Sequence, residues 1–179
     1  ASPSLAMNLV AVFAAIGIAM LAAGALGLAF ERVVVKPVYG HHLKQILITM
    51  GGMIVGEELI KLVWGPVPIA LPLPETLRGS FVIGEAIVEK FRVLATVIGA
   101  VVFVVLAWVL ARTRLGLLIR AGVENREMVE ALGFRIDRLF VGVFMAGSAL
   151  AAMGGSMWAG YQGLITPAIG GELMILVFI

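Results

Sequence analysis

The sequence predicts an all-α protein, a polytopic bundle of transmembrane helices, and three observations predict it. Of the 179 residues, 61% are apolar and 13% charged, and the mean hydropathy is +1.10, far outside soluble averages. The apolar residues form long continuous runs, without the 3.6- or 2-residue period of half-solvated elements. Barrel strands would alternate over about 10 residues, so the runs read as helices.

The first run, Leu5 to Phe30, holds Asn8 as its only strongly polar side chain. A crossing needs about 20 residues, and this run is too long for a signal-peptide core of roughly 7 to 15. Its Ala15, Ala19, Ala23 and Gly27 recur every four residues, a stripe that lets helix backbones approach closely. The second run, Ile46 to Trp64, carries Gly52 and Gly56 as a GxxxG and then GEELIK. The third, Phe91 to Leu110, is rich in Val, Leu and Phe, which suits a lipid-facing position. The fourth, Leu139 to about Trp158, repeats the small-residue stripe at Gly147, Ala151 and Gly155, continued by Ala159. A fifth begins at Leu173 and runs to Ile179. Four full spans and the start of another, in one transmembrane domain over 1–179, read as the middle of a longer membrane protein. No repeat of 20 to 50 residues is present. Between the second and third runs, GPVPIALPLPE favours extended structure because its four prolines exclude a regular helix, and FVIGEAIV predicts a small hairpin around Gly84 and Glu85.

Lysines and arginines set the orientation. The loop 31–45 holds Arg32, Lys36 and Lys44, and the stretch 112–138 holds six arginines. The opposite side and its margins hold Lys61, Arg78, Lys90 and Arg92. The richer side belongs in the cytoplasm, so loops 31–45 and 111–138 are expected there. A pI near 9.3 then reflects topology; a nucleic-acid partner is not indicated, since the basic residues are split between loops and not interleaved with exposed aromatics.

Candidate chemistry is sparse. Glu57 lies roughly 16 Å into the second span, counted from Ile46 at about 1.5 Å per residue, where charges are costly and face a cavity or each other. Lys61 is i+4 from Glu57 and i+3 from Glu58, so either carboxylate can pair with it. The group, with Thr49, is a candidate translocation path or else a self-neutralised cluster near the outer interface. His41 and His42 read as a solvated pair, with no cysteine in the chain to complete a metal site. Tyr161, Gln162 and Thr166 read as interfacial anchors. No G-x-x-x-x-G-K-[ST] phosphate loop and no hydrolase triad occurs, so catalysis by this chain is not expected.

The run RTRLGLLIRAGVENREMVEALGFRIDRL, from Arg112, is the polar exception. Its first part reads as a continuation of the third span out of the membrane. Asn125 is placed as an N-cap and Gly133 as the C′ residue of a helix from Arg126 to Leu132, with Glu127 in the first turn, where the dipole favours negative charge. Met128, Val129 and Leu132 form an apolar face opposite Glu127 and Glu130. So short a helix needs a partner to hold it, and a docking groove is favoured over anionic lipid because the glutamates oppose the latter.

At these residues the chain resembles the permease subunits of branched-chain amino acid ABC importers. The resemblance rests on ERVVVKPVYG (Glu31 to Gly40), on Thr49-Met50-Gly51 opening the next span with Gly65-Pro66 closing it, and on the T-x-L-G, I-R-A, Asn125, Glu127, Leu132, Gly133 and Asp137 sequence of the polar stretch. Two departures stand out: Arg126 where relatives commonly carry Pro, and Glu57 and Glu58 where they commonly carry amides, which points toward an amine-bearing or cationic solute. The resemblance implies a multi-pass inner-membrane permease that pairs with a second permease, rests on two ATPase subunits and receives solute from a periplasmic or lipid-anchored binding protein. ATP and Mg would then sit on the partner subunits, with no cofactor in this chain, and the short helix would be the coupling helix. An ion-coupled secondary transporter or channel, using Glu57 and Glu58, is the rival reading.

Overall fold

The structure is a computed structural model that describes residues 5–38, 42–71, 80–83 and 86–178. They fall into two compact units, Ala1–Arg78 with Met145–Ile179, and Gly79–Phe144.

In the first unit, α1 (Leu5–Phe30) continues into a π-helical turn at Glu31–Val35 and a 3₁₀ turn at Lys36–Val38. The wide turn is closed by the Lys36 N–H donating to the Glu31 carbonyl, and Pro37, which has no N–H, ends regular α bonding. Glu31 and Val35, four residues apart on one face, are fully buried, and the π turn packs against α2 (His42–Trp64). α1 approaches the middle of α6 (Ile136–Gln162) at Gly24, where a β-carbon would lie 3.6 Å from Met145 Cγ and 3.7 Å from Ala149 Cβ. Beyond Gly65 and Gly163, which follow α2 and α6, β1 (Ile69–Ala70) pairs antiparallel with β4 (Leu164–Ile165), Ile69 opposite Ile165. α7 (Ile169–Phe178) follows.

In the second unit, β2 (Ser80–Ile83) and β3 (Ala86–Glu89) form the expected hairpin, Ile83 opposite Ala86; its turn, Gly84 and Glu85, lies outside the described residues. α3 (Lys90–Arg112) follows, then α4 (Arg114–Glu124), α5 (Arg126–Ala131) and the start of α6. The expected continuation of the third span past Arg112 is not what forms. Thr113 adopts an extended conformation (φ −105°, ψ 159°), its Oγ1 accepts from Gly116 N at 3.3 Å, and a new helix starts. Gly116 sits so close to the Leu110 backbone that a β-carbon there would overlap it. The T-x-L-G spacing thus encodes an N-cap and a tight corner.

Helices form over the expected apolar runs, and α2, α3 and α6 extend beyond them, because polar flanks such as Lys90 and Arg112 stay helical while reaching toward water. Among the described residues three helices are long and apolar enough to cross a membrane: Val10–Val38, Lys90–Arg112 and Ile136–Gln162. The expectation of four exceeds this by α2, which has the length, 23 residues, but carries Glu57, Glu58 and Lys61. α3 has no buried residue across its most apolar window, and Phe103 and Trp108 are exposed. The protein is an all-α, multi-pass membrane protein whose buried apolar side chains are few among the described residues: Val35, Phe91, Val129, Ile136 and Ala159. Its apolar surface meets lipid or partner helices, where burial in the chain's own core is not required.

Candidate functional site

Two constellations combine polar chemistry with defined geometry, one in each unit. In the second unit the short helix α5 is closed at both ends. Asn125 Oδ1 accepts from Met128 N at 3.0 Å, the N-cap bond that satisfies an orphan donor of the first turn. At the other end Gly133 N donates to Glu130 O at 2.9 Å and Phe134 N to Val129 O at 3.3 Å, the paired bonds of a Schellman ending. Gly133 sits at φ +86°, a conformation glycine adopts without the penalty a β-carbon brings.

The predicted apolar face divides. Val129 is buried, whereas Met128 and Leu132, one turn apart, are 65% and 71% exposed. Beside them, α4 packs on the start of α6 through Gly122, whose β-carbon position lies 3.1 Å from Ile136 Cδ1. Arg126 ties the pieces together. Its guanidinium pairs with Glu130 at 3.0 Å within α5 and with Asp137 in the first turn of α6. Partial burial works against its charge, but hydrogen bonding to Glu130 and the fields of Asp137 and Glu130 outweigh this and raise its pKa above the ordinary arginine value. A raised basic pKa contributes stability at all pH below the ordinary value and loses it only as pH climbs through the raised one. The guanidinium side of the brace therefore does not titrate in the physiological range.

In the first unit, α2 brings Glu57, Glu58 and Lys61 together as their spacing predicts: Lys61 Nζ lies 2.9 Å from an oxygen of each carboxylate. Glu57 also lines a cavity of about 730 Å³, walled by Leu26 of α1, Gly56 and Ile60 of α2, Thr166 and Pro167 after β4, and Gly171 of α7. Thr49 stands apart from this cluster, its hydroxyl donating at 2.9 Å to the Gln45 and Ile46 carbonyls of its own helix.

The sequence matches the profile of the family described as "Branched-chain amino acid transport system / permease component" over residues 2–179. The chain belongs to this family. As a permease component it is similar to the high-affinity branched-chain amino acid transport system permease proteins LivH of Escherichia coli (strain K12) and LivH of Salmonella typhimurium. Each is 31% identical over 160 residues, 85% of this chain and 51% of the relative. BraD of Pseudomonas aeruginosa, a permease protein of the same description, is 28% identical over 173 residues, 93% of this chain and 55% of that protein. The chain spans about half the length of these curated relatives. No solved structure matches it.

Within this permease fold the small-residue stripes take different places. Gly27 is buried, Ala19, Ala23 and Gly155 are half-buried, and Ala15, Gly147 and Ala151 are exposed. Gly52 receives the ring of Phe30, while Gly56, its GxxxG partner, opens onto the cavity. α1 meets α6 at Gly24, which the four-residue stripe passes over. Tyr161 tilts against Trp158, ring centroids 5.6 Å apart. Leu132 caps α5, which therefore ends one residue earlier than its sequence suggests. His41 lies outside the described residues, as does the side chain of His42. Residues that sequence reasoning passed over are Arg126 as a brace, Gly116 as a corner and Glu31 as a fully buried carboxylate; for Glu31 the one signal was a charge directly after 26 residues of apolar helix.

Proposed function

We propose that the chain is part of the permease of an ATP-driven importer for branched-chain or related amino acids. It moves solute across the inner membrane of a bacterium or archaeon by alternating access. Four helices cross in this reading: α1, α2, α3 and α6. The charge on α2 is accommodated by the Glu57, Glu58 and Lys61 pairing and by the cavity it faces. Loops 31–45 and 111–138 are cytoplasmic. ATPase subunits, a second permease and a periplasmic or lipid-anchored binding protein complete the machine, and ATP with Mg belongs to the ATPase subunits.

The observation that carries this reading is α5. A helix of six residues cannot hold itself, yet here it is capped at both ends, anchored inward by Val129 and Arg126, and offers Met128 and Leu132 outward. That is a knob shaped for a groove on a partner. A push on it passes to α6 through Arg126 to Asp137, so a partner that changes shape with ATP has a lever on a long helix. Met128→Asp or Leu132→Asp in the assembled transporter should lower ATP-dependent uptake at least ~10-fold, the scale of losing an interface anchor, while solute capture by the binding protein persists. Unchanged uptake would contradict the assignment. An ion-coupled mechanism through Glu57 and Glu58 is disfavoured by their shared pairing with Lys61, and uptake that survives ATP depletion but collapses with the ion gradient would restore it.

A further inference from the structure

We propose that α4 binds anionic phospholipid headgroups along one face, with arginines at the ends of the neighbouring spans completing the site. The proposal rests on α3 and α6 crossing the membrane and is independent of what the permease carries.

The level of the arginines follows from helix length and packing. α3 has 23 residues and rises about 35 Å against a hydrocarbon core of about 30 Å, so Arg112 at its end reaches the headgroup layer. The corner at Thr113 keeps α4 at that level, because Gly116 lies against the Leu110 backbone in the last turns of α3. At its other end α4 packs through Gly122, whose β-carbon position lies 3.1 Å from Ile136 Cδ1 and 3.5 Å from Phe140 Cζ, in the first turns of α6. A helix tied at both ends to the ends of two spans runs along the membrane surface.

The residues of α4 suit that position. At about 100° per residue, Leu115, Leu118, Ile119, Gly122 and Val123 share one side of the helix, and Leu117 and Ala121 fall outside it. Arg114 and Arg120 stand at the two borders of this side and Glu124 opposite its centre. Gly122 is covered by α6, but Leu115 and Val123 are exposed. Cations that border an apolar face lay their stems along hydrocarbon and lift their heads to the phosphates, while the glutamate is turned to water.

The positive charge is not used up within the chain. Arg112, Arg114, Arg120, Arg135 and Arg138 are all exposed, and among the described residues none of them forms an ion pair. Arg126 takes up Glu130 and Asp137, which leaves Glu124 and Glu127 to face these five arginines. The charges are also sorted along the chain: Glu124, Glu127 and Glu130 fall together around α5, and the unpaired arginines flank the ends of α3 and α6. An acidic protein would neutralise the arginines but leave Leu115, Val123 and the exposed Phe134 beside Arg135 without apolar cover. A phospholipid supplies phosphate and hydrocarbon together.

The test is photolabelling of the purified permease and ATPase complex in phosphatidylcholine nanodiscs that contain phosphatidylglycerol with a photoreactive headgroup, the labelled peptides being mapped by mass spectrometry. Label should fall on residues 112–123 and 134–138. It should be displaced by unlabelled phosphatidylglycerol, but not by phosphatidylcholine or by glycerophosphoglycerol, the headgroup without acyl chains. It should fade at about 1 M salt, where the screening length is about 3 Å. Arg114→Gln with Arg120→Gln should weaken the affinity at least about 10-fold, given roughly fivefold per basic residue at an anionic surface. Arg114→Lys with Arg120→Lys should retain it, and Lys90→Gln at the opposite end of α3 should leave it unchanged. Label spread evenly over the loops, displacement by phosphatidylcholine or glycerophosphoglycerol as strong as by phosphatidylglycerol, unaltered affinity in the double glutamine variant, or an equal loss in Lys90→Gln would each overturn the site. So would label found in the permease alone that vanishes in the complex, since the face would then belong to the ATPase. Where the glutamine variant fails to assemble, the wild-type labelling map and its displacement decide.

Discussion

The two polar constellations have the same charge inventory and opposite construction. In each, one cation is shared by two carboxylates: Lys61 by Glu57 and Glu58, Arg126 by Glu130 and Asp137. Lys61 finds both partners within one turn of its own helix, so the pairing fixes nothing beyond α2, and a compact ammonium can shift between acceptors. Arg126 divides its planar fork between α5 and the first turn of α6, so the same number of charges joins two elements. Sequence-local charge stays within one helix; charge that closes across a turn makes a brace. All the side chains of the brace are more than a third exposed, so its worth lies in geometry more than in stability, since solvent screens such pairs to about 1 kcal/mol or less.

The comparison can be broken first by removing the frame of the brace. Gly116→Ala would drive a β-carbon into the Leu110 backbone and force the α3–α4 corner open. A loss of about 1–3 kcal/mol is expected, seen as a sharp fall in folded protein after membrane extraction, with the Lys61 cluster unaffected. Gly122→Ala, facing the movable end of Ile136, should cost less than half as much. Next in size is the brace itself. Arg126→Glu should cut solute imported per ATP hydrolysed several-fold while changing thermal stability little, and Arg126→Glu with Asp137→Arg should restore much of the ratio; failure of the double variant to recover would reduce the pair to a surface contact. The smallest effect belongs to the cap. Asn125→Ala should destabilise α5 by about 1 kcal/mol, read as faster amide exchange at Met128 and its neighbours.

Much of this was legible in the sequence wherever the determining interaction is local. The long apolar runs, the Asn125 cap, the glycine ending at Gly133, the hairpin flanking Gly84 and the pairing of Lys61 with Glu57 and Glu58 all involve residues within one continuous short stretch of chain. What escaped depends on closure in space. The Asp137 partner of Arg126 is eleven residues away and meets it only because the α5 ending reverses the chain. The break at Thr113 hides in an otherwise favourable helical run, where one hydroxyl and one glycine decide the outcome. The pairing of β1 with β4 and the cavity beside Glu57 join segments far apart in the chain, and no periodicity announces them. A stripe of small residues likewise marks a helix that can be approached closely, without saying at which glycine: here the contact fell at Gly24.

The account turns on α5 being gripped by a nucleotide-hydrolysing partner from the cytoplasmic side. The direct measurement places a cysteine at Met128 in the complete transporter, which is free of native cysteine along this chain, and pairs it with cysteines introduced on the ATPase surface. A cross-link to the ATPase subunit whose yield changes between ATP-bound and nucleotide-free states is the predicted result. Labelling of that cysteine by a membrane-impermeant reagent from the outer side, with no cross-link in either state, would contradict it.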